Sequence, residues 1–219
     1  ASIFRGFFVL EHMMGRGRFD WLVQTVSAAF GPIGIYRVLQ EFREDIGKAP
    51  RLLGVQQAVN CPLYKSWKSN RASLEPTEID STSHLLTRVM YDVKPHTYGT
   101  YRDLRELLVD VKGDLTTINH KEFSDFLEYE FEGKNVFHLL RDNGVEITLR
   151  DGDVVEKAGL IALAGTLKGI EKGKIQEGAK VLCCLTGGMS AADGQAKPEY
   201  RMDDVERATR EYSKVVFGG

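Results

Sequence analysis

The stretch WLVQTVSAAFGPIGIYRVLQEF, Trp21 to Phe42, opens as one kind of element and closes as another. WLVQTV is nearly all apolar, as a buried parallel strand is. IGIYRVLQEFRED then spaces Ile33, Tyr36, Val38, Leu39 and Phe42 at helical intervals, with charge on the opposite side. Pro32 suits the first turn of a helix, where its missing N–H costs nothing. Gly47 and Pro50 end that helix, and RLLGVQ, Arg51 to Gln56, reads as the next strand. Strand, turn, helix, strand is a βαβ unit with parallel strands and a right-handed crossover.

The junction SAAFGPIG lies between the first strand and its helix. A helix N-terminus carries about half a positive charge and unpaired N–H groups, so it attracts anions. Gly31 and Gly34 also have a plainer explanation, a close approach of helix to strand.

Composition narrows the classes. The chain has 219 residues, 42% of them hydrophobic, and a formal charge of -2. That charge lacks the basic bias of a nucleic-acid binder. The early apolar run FFVL is too short for a membrane span, and His12 and Arg16 soon follow it. A cytoplasmic location is expected. Three cysteines, with Cys183 and Cys184 adjacent in an apolar run, read as buried thiols rather than a disulfide framework. The chain has no CxxC or HExxH, and no metal site is expected.

The expected organisation is one domain in three parts: 1–69, the βαβ part with its turn; 70–153, a more polar middle; and 154–219, a late helix, a strand ending in TGG, and a tail. In the middle, Leu85 to Met90 suggests an amphipathic helix, YRDLRELLVDVKG a helix ending at Gly113, and KEFSDFLEYEF and VFHLLRDNG two more. VEITLRDGDVV reads as strand, turn, strand around Asp151-Gly152. His138, on an apolar helix, reads as packed core, and Asn119 as a helix cap. In VVEKAGLIALAGTLKGIEKGKI, small residues from Ala158 to Gly165 suit close packing on a sheet, and Lys157 and Lys168 read as solvated. AKVLCCLTGG, Ala179 to Gly188, reads as a buried central strand that delivers the Thr186 hydroxyl to its carboxyl end, where doubly wound folds bind ligands. The charged segment after Ser190 reads as an exposed helix or tail.

Three stretches together resemble the C-terminal half of fold type II pyridoxal-phosphate enzymes, the tryptophan-synthase-β and threonine-synthase group. They are WLVQTVSAAFGPIGIYRVLQEF, RLLGVQQAVNCPLYKSW and VVEKAGLIALAGTLKGIEKGKIQEGAKVLCCLTGG, in the family's order and spacing. The resemblance is nearest to threonine synthase and cysteate synthase. It implies an α/β fold, three-layer αβα with a mostly parallel sheet, and pyridoxal 5'-phosphate as cofactor. Ser27, Ala28, Ala29, Phe30 and Gly31 would hold the phosphate through main-chain N–H groups. Thr186 would hydrogen-bond the pyridine nitrogen and leave it largely unprotonated, which favours β- and γ-elimination and replacement. Glu156 would lie near the ring. KPHTYGTY looks like the family's mobile loop, with Lys94, His96, Thr97 and Tyr98 facing an anionic substrate; a merely solvated loop is the plainer reading. The family pattern has more glycine where this chain has Ser27 to Ala29.

The family's Schiff-base lysine and its substrate-carboxylate loop lie in an N-terminal half that precedes anything matched here. The resemblance therefore implies no catalytic residue on this chain and a partner, an N-terminal-half polypeptide carrying that lysine, with further dimerisation. The expected substrate is a small amino acid of the O-phospho or O-acetyl type. One alternative is a non-catalytic scaffold or regulatory subunit on the same fold. Another is an α/β domain binding a nucleotide, against which the lack of GxGxxG and GxxxxGK[ST] counts.

Overall fold

WLVQT forms strand β1, Trp21–Thr25, every residue of it buried. The computed structural model describes residues 2–74, 85–90, 100–145, 147, 149–150, 153–154 and 157–186. They fall within one unit, Ala1–Gly188; the segment Met189–Gly219, with its expected helix or tail, lies outside the described residues.

Before β1 comes α1, Ser2–Gly15. After it come α2, Phe30–Glu41, a short α3, Arg43–Ile46, capped by Gly47, and β2, Arg51–Gln57. The expected single helix is thus broken at Phe42. Then follow α4, Pro62–Lys68; a 3-10 turn, Arg88–Met90; α5, Tyr101–Asp110; and β3, Asp114–Ile118. Helix α6, His120–Glu128, leads to the ribbon β4, Glu130–Phe131, and β5, Lys134–Asn135. Helix α7, Val136–Asp142, precedes the ribbon β6, Leu149–Arg150, and β7, Asp153–Val154. The unit closes with α8, Lys157–Glu171, and β8, Val181–Cys184.

Four strands make a parallel sheet in the order β3-β2-β1-β8. Alternation along β1 splits the core in two. Leu22 and Val26 join α1, α2 and α5 on one face; Trp21 and Val23 join α6, α7 and α8 on the other. This is the expected three-layer αβα arrangement. Helix α8 lies close because it is lined with small residues: a Cβ on Gly165 would stand 2.5 Å from Val55 Cγ2, and one on Gly159 would stand 3.2 Å from the Leu185 backbone.

Several expectations are corrected. The final strand is an outer strand of the described sheet, half-buried along its length, so Cys183 and Cys184 are half-buried too. Burial still pushes their thiols up, to about 12 and about 11. Of Leu85 to Met90 only Arg88–Met90 is helical, as a 3-10 turn; before it the Gln57 carboxamide holds the backbone, its Oε1 accepting from the N–H of Leu86 (2.9 Å) and Thr87 (3.3 Å). His138 is exposed, since α7 turns Val136 inward instead. Lys168 is not solvated: it donates to the Thr117 carbonyl at 2.7 Å and to Glu122 Oε1 at 2.5 Å, tying α8 to the carboxyl half of β3 and to α6. Asn119 caps α6 as expected, in a capping box with Glu122.

At the amino end of β3, Asp114 gathers Trp67 Nε1 (2.7 Å), Lys68 (2.7 Å), the Leu115 N–H (2.8 Å) and Lys174. Burial alone would raise this carboxyl; the hydrogen bonds from Lys174, Lys68, Trp67 and Leu115 outweigh it and hold the pKa at about 2.

Candidate cofactor site

The strands on the two sides of β1 connect to helices on opposite faces: α2 follows β1 on one face, and α8 precedes β8 on the other. The connections thus change face between β1 and β8, and their carboxyl ends lie side by side where open α/β sheets bind ligands.

Two hydroxyls meet there. Thr25, the last residue of β1, and Thr186, two residues past β8, have their Oγ1 atoms 3.0 Å apart. The sheet register brings them together, for Gln24 pairs with Cys184. The turn from Ser27 begins directly beyond Thr25. Ala29 is the N-cap of α2 and is left-handed, φ 59°, with no side-chain cap. Thr100, the buried N-cap residue of α5, donates its hydroxyl to the Ala28 carbonyl at 2.5 Å. The first helical bond in the turn is Ile33 N–H to the Ala29 carbonyl. Among the described residues no acceptor lies on the N–H of Ala29, Phe30 or Gly31. These are the donors a helix leaves open at its start.

Gly31 has a packing reason as well. A Cβ there would lie 2.4 Å from Gln24 Nε2. Gln24 is 3% exposed, and its Oε1 has no hydrogen-bond partner, so a buried polar group lies unsatisfied beneath the first turn of α2.

The donor set fits pyridoxal phosphate: capless main-chain N–H groups for an anion, a hydroxyl for a ring nitrogen, and an unsatisfied buried amide between them and the core. Of the residues expected from sequence, Ser27, Ala28, Ala29, Phe30, Gly31 and Thr186 come to this one end of the sheet. Glu156, Lys94, His96, Thr97 and Tyr98 lie outside the described residues. Sequence reading passes over Thr25, Thr100 and Gln24. A signal for two of them is present: Gln24 and Thr25 are polar residues inside an otherwise apolar strand. A cavity of about 590 Å³ lies elsewhere, at the amino ends of β1 and β2, lined by Arg18, Trp21, Lys48 and Arg51 among others. There Arg51 stacks 4.1 Å over Trp21 and donates to the Lys112 carbonyl.

The fold is that of the fold type II pyridoxal-phosphate enzymes. Similar solved structures are maize serine racemase (TM-score 0.53, 14% identity, 97% of this chain and 53% of that one) and the T.th. threonine deaminase (0.53, 18%, 88% and 58%). The processed form of threonine deaminase isoform 2 from Solanum lycopersicum is a third (0.54, 12%, 98% and 47%). In sequence, the chain is similar to a cysteate synthase from Methanosarcina barkeri, 25% identical over 196 residues. It spans less than half of that relative, 42%, against 85% of itself. No family model matches the chain. No helix among the described residues is long and apolar enough to cross a membrane.

Proposed function

We propose that this chain is the C-terminal half of a cytoplasmic pyridoxal-phosphate-dependent lyase or synthase. It would act by β- or γ-elimination or replacement on an amino acid with a phosphate or acetate leaving group. The observation that carries this is the juxtaposition, at one switch point, of the capless start of α2 with the Thr25–Thr186 hydroxyl pair. The similarity to a cysteate synthase supports the same reading.

When bound, the cofactor supplies an electron sink for carbanion chemistry. The residues of this chain bind and orient it. The N–H groups from Ala29 to Gly31 would hold the phosphate, at roughly 1.5–3 kcal/mol for each hydrogen bond to a charged group. Thr186 would hold a proton toward the ring nitrogen. The resemblance would put Glu156 near the ring and Lys94, His96, Thr97 and Tyr98 toward the substrate's anionic groups; all five lie outside the described residues.

The Schiff-base lysine comes from an N-terminal-half polypeptide, and the complete unit dimerises further. Two surface features support a partner. The outer strand β8 is half-buried, and α1 exposes Ile3, Phe4, Phe8 and Met14, at 49, 60, 72 and 63%. Soluble monomers seldom cluster so many exposed large apolar side chains on one helix.

The test is to add pyridoxal phosphate to this chain, alone and with a lysine-bearing N-terminal half. A visible absorption band that borohydride fixes onto a partner lysine, read by mass analysis, is the expected result. A complex that forms and stays colourless overturns the enzyme reading and leaves a scaffold or regulatory subunit.

A further inference from the structure

Resting on that reading, we propose that Thr25 is a positioning residue that fixes which way the Thr186 proton points. Thr25 lies on the α8 face of β1, the face of Trp21 and Val23, and is 9% exposed. Among the described residues its hydroxyl has one partner, Thr186 Oγ1 at 3.0 Å. A buried hydroxyl that fails to donate leaves a costly unsatisfied group. Thr25 therefore donates and Thr186 accepts. Thr186 is half-buried, so its own proton is free to turn outward. Accepting one hydrogen bond strengthens the next one given.

The consequence is directional. With Thr25 donating, Thr186 meets a ligand nitrogen as a donor, which matches a ring nitrogen without a proton. Without Thr25, the Thr186 hydroxyl rotates freely and accepts as readily as it donates. Thr25 touches neither substrate nor cofactor in this role. It acts through Thr186 alone.

The test uses the full chain as isolated, with any polypeptide that accompanies it, and the variants Thr25→Val, Thr25→Ser, Thr186→Val and Thr25→Val/Thr186→Val. In the cofactor-free protein, the Thr186 γ-methyl resonance should move in Thr25→Val and hold its place in Thr25→Ser. With pyridoxal phosphate labelled with ¹⁵N in its ring, Thr25→Val should bind about three- to tenfold more weakly, the size of one hydrogen bond. Its ¹⁵N resonance should move toward the protonated form, and Thr25→Ser should restore both. The double variant should be no weaker than Thr186→Val, because Thr25 has no other route to the ring. An unmoved methyl resonance, or losses that simply add, overturn the role of Thr25 and leave the cofactor reading standing. A wild-type complex with the lysine-bearing half that takes up no cofactor overturns both.

Discussion

Ala29 has φ 59°, a left-handed conformation that costs an L side chain about 1–2 kcal/mol. Strain of this kind collects at binding turns, and glycine would adopt the same backbone freely. Ala29→Gly relieves that strain but adds entropy when unfolded and deletes a buried methyl, so the terms nearly cancel and stability should change by less than about 1 kcal/mol; a urea midpoint that falls further would contradict this. Asp114 makes the second residue-scale prediction. Its folded pKa of about 2 lies below its unfolded value. The ionised pair network thus stabilises the fold at neutral pH and loses that stabilisation as pH falls from about 5 toward 2, roughly 2 kcal/mol in all. The drop in Tm between neutral and acid pH should be smaller in Asp114→Asn than in wild type. At this scale the sequence is only partly legible. A hydroxyl's partner is set by register: Thr25 and Thr186 lie 161 residues apart and meet only through the pairing of β1 with β8.

Close contact between α8 and the sheet governs the elements. Val55 is β-branched and stiff, and it fills the space beside Gly165. Gly165→Ala should cost about 1–3 kcal/mol by overpacking, and Val55→Ala in the same chain should recover part of that loss in a denaturation series. The periodic elements α2, α5, α6 and α8 are readable because their apolar positions repeat at helical spacing. Two elements escape that reading. In α1, Gly6, Val9, Leu10 and Met13 form a buried stripe at helical spacing, but exposed Phe4 and Phe8 blur it into a general apolar run. Strand β3, DLTTI, mixes two threonines with two aliphatics and lacks the long apolar run of β1; its β-branched residues are the available signal. The 3-10 turn at Arg88–Met90 is unreadable for another reason, since a distant side chain, Gln57, holds the backbone before it.

Across the whole molecule, the parallel sheet with helices on both faces follows from the βαβ pattern and the late helix–strand pair. Strand order does not: nothing local says that β8 lies outside β1. That order predicts uneven protection. β1 is paired on both sides and β8 with β1 alone among the described strands, so amides of β8 should exchange faster than those of β1, and addition of the lysine-bearing half should slow them. Equal exchange in the two strands would argue that this edge is already covered. The placement of the two tryptophans determines what can be watched. Trp21 begins β1 and Trp67 bonds to Asp114 at the start of β3, so both indoles stand at the amino end of the sheet. The Thr25 end lies about 13 Å away along the strand. Intrinsic fluorescence is thus a witness to one end only, and a ligand's own colour is the witness to the other. Unfolding followed by both signals tells whether the two ends melt together or the Thr25 end opens first.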